Sequence, residues 1–183
     1  METKYKVKFI HRGSQASENT TFRHQSENSN GVFGNCKFTF NPLNKDYDWL
    51  VIQDDVSKIL PGQTEILSCP KENTIFVTTE PNTITKYGKG FTGQFEYVIT
   101  SQDEKSLPHR NAIRSQTGNV WFYGKTYDEI VAKDELIKTK KLSTVCSDKQ
   151  QGHTIHKLRY DFTKIMEEEI PELERFGRGF KWI

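Results

Sequence analysis

Tyr47-Asp48-Trp49-Leu50-Val51-Ile52-Gln53-Asp54-Asp55 is the stretch that decides the fold. An unbroken apolar run followed at once by acids is the pattern of a strand buried on both faces of a parallel sheet. Thr74-Ile75-Phe76-Val77-Thr78-Thr79-Glu80-Pro81-Asn82 repeats it, and so does Phe95-Glu96-Tyr97-Val98-Ile99-Thr100, which ends at Ser101-Gln102-Asp103. Upstream, Lys6 to Ile10 around Val7 and Phe9 reads as a first strand. Gly31 to Phe40, punctuated by glycine and alternating at its end, reads as a second, broken by Asn41-Pro42-Leu43-Asn44.

The connections are polar. His11 to Asn30, rich in Ser, Asn, Gln and Glu, is expected to be a long loop with a weak helix. Gly88, Gly90 and Gly93 limit any helix near Tyr87 to a short one. Asp103 to Gly118 reads as a polar loop, Val120-Trp121-Phe122-Tyr123-Gly124 as an aromatic strand-like piece and Tyr127 to Lys138 as a helix. Strand–connection–strand alternation over residues 4–124 predicts an α/β fold with a Rossmann-like open parallel sheet.

Basic Lys138-Thr139-Lys140-Lys141 marks a linker, dividing the chain into domains 1–138 and 139–183. Beyond it, Leu142, Val145 and Cys146 predict a short strand, and the polar residues around Gly152 a loop. Ile155, Leu158, Phe162, Ile165 and Met166 recur as one apolar stripe of a long amphipathic helix. A second, incomplete α/β unit is the expectation. Its loop feeds a helix N-terminus, where free N–H groups and the dipole favour anions. Lys149, His153, His156 and Arg159 gather there against Asp148 alone.

Composition excludes several classes. Hydrophobic content of 34%, with 12% aromatic residues, suffices for a core, and the net charge of +2 gives no general attraction for nucleic acid or membranes. Cys36, Cys69 and Cys146, odd in number and far apart, suggest neither a disulfide framework nor a metal cluster, and point to a reducing, cytoplasmic setting. No apolar run approaches the roughly 20 residues that span a bilayer, and the N-terminus has no signal-peptide character, which leaves peripheral membrane association open. Phosphate-loop, zinc-binding and nucleophile-elbow motifs are absent. Asp46-Tyr47-Asp48 has a metal-binding spacing but precedes its strand, so it is expected at the sheet edge away from ligands.

Ligands of open parallel sheets bind beyond the carboxyl ends of the strands. That rule selects Glu80 with Asn82, Asp54 with Asp55, and Ser101 to Asp103. Each acid alone is a common helix cap or loop residue; several on one edge make a cleft.

Several pieces carry a resemblance. They are Gly34-Asn35-Cys36-Lys37-Phe38, Tyr47-Asp48-Trp49-Leu50-Val51, Thr79-Glu80-Pro81-Asn82, Thr100-Ser101-Gln102 and Asn111-Ala112-Ile113. Then follow Trp121-Phe122-Tyr123-Gly124, Ser147-Asp148-Lys149, His156 with Arg159 and Phe162, and Phe176-Gly177-Arg178-Gly179. In this order they resemble glycosyltransferase family 10, the α-1,3-fucosyltransferases, and its bacterial-type members in particular. The resemblance implies the N-terminal half of a GT-B enzyme, two facing Rossmann-like domains, with inversion at the anomeric carbon. It implies a GDP-fucose donor, an acceptor glycan, and neither cofactor nor metal for the chemistry. Glu80 would be the general base, Arg159 would hold the donor pyrophosphate with Ser147 and Lys149 beside it, and Asn82, Asp54 and Asp55 would face the acceptor.

The family's later donor-binding segment has no counterpart before Ile183. The chain is therefore expected to be a fragment or a truncated relative, a complete second domain needing roughly 100 further residues. The alternative is a non-catalytic carbohydrate- or nucleotide-binding module, and more remotely a phospho-acceptor receiver built on Asp54 and Asp55.

Overall fold

The computed structural model describes residues 3–116, 124–132, 137–152 and 154–180. The chain divides into two compact units, Met1–Lys133 and Asp134–Ile183.

The first unit is built on strand β1 (Tyr5–His11), whose alternating residues bury Lys8 and Ile10 on one face and Val7 on the other. Beside it lie β2 (Val32–Phe33), β3 (Cys36–Thr39), β4 (Trp49–Gln53), β5 (Thr74–Val77), β6 (Tyr97–Thr100) and β7 (Ala112–Arg114). Their order is β2-β3-β1-β4-β5-β6-β7. Every pairing is parallel except that of β2 with β3. This is an α/β unit with a mostly parallel sheet. The chain leaves β1 for β3 on one side and returns to β4 on the other, so the direction of winding reverses between β1 and β4.

One face of the sheet carries the core. Ile10, Leu50, Ile52, Phe76 and Val98 pack with Val56, Leu60, Cys69, Phe95 and Leu107 from the connections. Phe76, fully buried, has the rings of Tyr87, Phe91 and Phe95 within 5.1–5.2 Å. Helices contribute little. Helix α1 (Lys89–Thr92) is one turn among its glycines, as their spacing predicts, and other connections form short 3-10 turns such as Pro61–Gln63 and Lys71–Asn73. Aromatic side chains replace the missing helix surface.

Central Lys8 is fully buried, its ammonium 3.0 Å from the Glu65 carboxylate. The same carboxylate oxygen meets Lys45 at 2.8 Å and accepts the Tyr47 hydroxyl at 2.9 Å. Burial lowers the Lys8 pKa, and burial together with Glu65 pushes Tyr47 up to about 12.

Three local expectations need correction. Gly31 to Phe40 is not one strand but the hairpin of β2 and β3, turned at Gly34-Asn35. The stretch read as a polar loop contains β7, parallel to β6; three residues between Asn111 and Ser115 offer no alternating run to recognise. The helix expected over Tyr127 to Lys138 is described only as α2 (Tyr127–Val131), and residues 137–140 are irregular. Helix α2 buries no residue and is held by a capping box between Thr126 and Glu129. The aromatic piece at Val120 to Tyr123 lies outside the described residues.

The second unit contains β8 (Leu142–Val145), α3 (His156–Glu169) and β9 (Leu173–Phe176), with the two strands parallel. Helix α3 forms as its periodicity predicts, but the stripe faces mostly outward: Ile155, Leu158, Phe162 and Ile165 are 58–71% exposed. The helix buries Thr163 instead, with Tyr160 half-buried beside it. Buried Arg175 of β9 lies against the inner side of the helix, its guanidinium 5.4 Å from the Tyr160 ring, 3.9 Å from that of Phe180 and 2.9 Å from Glu167.

Replacing Phe76 by Ala would remove the ring that three others pack upon, leaving a cavity under a thin cover. We expect a loss of about 3–5 kcal/mol in urea unfolding. A loss below about 1 kcal/mol would mean that the aromatic cluster is not the core.

Candidate functional site

A cleft of about 290 Å³ opens at the carboxyl ends of β1, β4 and β5, lined by His11, Arg12, Gln53, Asp54, Glu80, Ile84, Thr85 and Tyr87. Its position follows from the topology, because loops leaving β1 and β4 diverge there and leave a gap.

Asp54 organises the cleft. It has a left-handed backbone, φ +61°, and its N–H donates to Val77 O at 2.9 Å, which ties the end of β4 to β5. Its carboxylate accepts the Thr79 N–H at 2.9 Å and the hydroxyls of Thr79 and Tyr87. Such a conformation costs about 1–3 kcal/mol. Hydrogen bonds to a charged group return about 1.5–3 kcal/mol each, so three donors offset the strain. Burial and the Asp54 charge together raise the Tyr87 pKa, the backbone N–H groups of Glu80 and Thr79 acting in the opposite direction. Tyr87 is therefore a fixed hydroxyl donor.

Glu80 is held from two sides. Thr79, its neighbour, is clamped by Asp54, and its own carbonyl accepts the Gln102 side-chain amide at 2.8 Å. Gln102, buried at the end of β6, also reaches Thr85 O at 3.1 Å. Beneath it Thr78 and Thr100, both fully buried, share a hydrogen bond of 2.8 Å. The exposed Glu80 side chain therefore extends from an immobilised backbone.

The expected acceptor residues separate. Asp54 shares the cleft with Glu80, whereas Asn82 turns to the Ser106 hydroxyl. Asp55 is paired with Arg12 at 2.9 Å and so stands behind a cleft residue rather than in the cleft. Asp46 and Asp48 lie at the amino edge, bonded to the side chain and backbone N–H of Lys6. Sequence reasoning gave no role to His11, Arg12 or Tyr87, whereas Gln102 lies within the selected Ser101 to Asp103 strand end. The strand-end rule, applied to β1 as well, would have selected His11 and Arg12; Tyr87 carries no local signal, because only folding brings it to Asp54.

In the second unit, Ser147 is half-buried and Lys149 exposed in the loop after β8, and Arg159 is exposed in the first turn of α3. That loop is anchored: Cys146 N donates to Phe176 O at 2.9 Å and Asp148 N to Arg178 O at 3.1 Å. The fit requires glycine at 177, with φ +117°, where a Cβ would come within 2.6 Å of Cys146 O. Arg159 borders an apolar groove with Phe162, Met166, Leu142, Val145 and Leu173, whose lining includes neither Ser147 nor Lys149. His153 lies outside the described residues. No group of three or more His, Cys, Asp and Glu able to hold a metal occurs among the described residues. No helix among them is long and apolar enough to cross a membrane.

No protein-family model, curated protein or solved structure matches the chain.

Two measurements test the cleft. Tyr87→Phe keeps the packed ring but takes one donor from Asp54, with an expected cost of about 1.5–3 kcal/mol in urea unfolding. Burial lowers the His11 pKa below its usual 6.5, against the opposing pull of Asp54. The unfolded chain then gains the His11 proton first, so stability is lost as pH falls through 6.5 toward the folded value. The urea midpoint should fall between about pH 7 and pH 5, and His11→Gln should remove part of that slope. An identical slope in the variant would show that His11 is not buried in its neutral form.

Proposed function

We propose that this chain carries the acceptor side and the first donor-side unit of an inverting, fucosyltransferase-like glycosyltransferase of the GT-B type. The observation that carries the reading is Glu80, an exposed carboxylate on a backbone fixed by Asp54 and Gln102, in a cleft at the carboxyl edge of a parallel sheet. The ordered motifs from Gly34 to Gly179 support the same family.

In this reading a hydroxyl of an acceptor glycan enters the cleft and passes its proton to Glu80 as its oxygen attacks the anomeric carbon of GDP-fucose. The bond from that carbon to the β-phosphate oxygen breaks, the electron pair leaves with GDP, and the configuration inverts. Charge grows on the departing diphosphate, which Arg159 would offset with its guanidinium, with Ser147 and Lys149 supplying further donors. The anomeric carbon passes through an oxocarbenium-like state. Metal is not needed for these steps.

Calorimetric titration with GDP and GDP-fucose tests the donor half. Binding is expected, and Arg159→Ala should weaken it by about tenfold to a hundredfold. An unchanged dissociation constant would remove Arg159 from the site. In a full-length form with a complete donor domain, Glu80→Gln should leave donor binding intact and cut fucose transfer by about 10²–10⁴-fold. Glycan binding without GDP binding would instead make the chain a non-catalytic carbohydrate module.

A further inference from the structure

We propose that His11 is a second sugar-binding residue of the Glu80 cleft, donating its Nε2–H to an acceptor hydroxyl other than the one Glu80 deprotonates. The inference rests on reading the cleft as an acceptor site. His11 ends β1 where the sheet reverses its winding, and it lines the cleft with Glu80 and Asp54.

The orientation of its ring is set by its own turn. His11 Nδ1 accepts the Gly13 N–H at 3.1 Å, so Nδ1 is unprotonated and the neutral ring carries its hydrogen on Nε2. The His11 backbone N–H donates to Ser14 Oγ at 3.0 Å, and the Phe22 ring lies 5.7 Å from the imidazole. A Cβ at position 13 would stand 3.1 Å from His11 Cε1, so the glycine lets the backbone approach the ring. Nε2 has no protein partner among the described residues, and no buried unsatisfied atom is found on this side chain.

The charges around the cleft explain why a neutral donor suits this position. Arg12 is engaged with Asp55, and the Asp54 carboxylate is occupied by Thr79 and Tyr87. A full cation next to Glu80 would favour its charged form and weaken it as a base. A neutral imidazole N–H orients the sugar without that penalty. A sugar ring presents hydroxyls that both give and accept, so one can donate to Glu80 while another accepts from His11. The cleft, near the small end of the about 300–1,000 Å³ usual for ligand pockets, suits one such ring.

The test is an NMR titration of the whole chain with the methyl glycosides of galactose, glucose and N-acetylglucosamine, monitoring backbone amides and the imidazole nitrogens. At least one glycoside should shift both the Glu80 amide and His11 Nε2. His11→Phe, which keeps a ring against Phe22, should weaken that glycoside about tenfold, and His11→Gln, which places an amide N–H near the position of Nε2, should recover most of the loss. Should His11→Phe fail to fold, the imidazole nitrogens of the unaltered chain decide: an unmoved Nε2 at sugar saturation overturns the assignment. A glycoside that moves Glu80 but binds equally well to both variants overturns the role of His11 and leaves the acceptor reading standing. Glycosides that move neither residue overturn both.

Discussion

The hold of the Asp54 carboxylate on Thr79 and Tyr87 is the interaction on which the site depends. It joins the end of β4 to the segment leaving β5, and it anchors a tyrosine whose ring belongs to the core around Phe76. A residue in a left-handed conformation is costly by itself, and here three donors to one carboxylate make it the favourable arrangement. Packing and the cleft are thereby coupled. The ring that fills the core also supplies the hydroxyl that fixes the cleft wall.

The rest of the first unit shows how a chain poor in helices covers a parallel sheet. Phe76, Phe91 and Phe95, with Tyr87, take the place of a helix face. Large rings bury much apolar area per residue and need no regular backbone. The ionic group around Lys8 is a different solution, in which a lysine on an inner strand is buried with its charge answered by Glu65. Removing Glu65 would leave the Lys8 charge buried and uncompensated, whereas Glu65 without Lys8 keeps Lys45 at 2.8 Å.

The second unit reverses the usual preference of an amphipathic helix. Thr163 and Tyr160 lie on its inner side, where the Arg175 guanidinium meets Tyr160, Phe180 and Glu167, and its apolar stripe faces out. The loop bearing Ser147 and Lys149 is meanwhile fixed by backbone bonds that continue past the strand ends to Phe176 and Arg178.

By itself the sequence determined the strands β1, β4, β5, β6 and β8, the helix α3 and the edge of the sheet on which Glu80 and Asp54 stand. These follow from local periodicity and from the direction of parallel strands, which a short window of residues contains. Tertiary structure decided the pairing of β7, the outward stripe of α3, the separation of Asn82 and Asp55 from the cleft, and the entry of His11 and Tyr87 into it. Each of these depends on a partner far along the chain. Tyr87 meets Asp54 across 33 positions, and Arg12 meets Asp55 across 43. A contact over such a distance leaves no periodic trace, because its energy appears only when the chain has closed the loop between the partners.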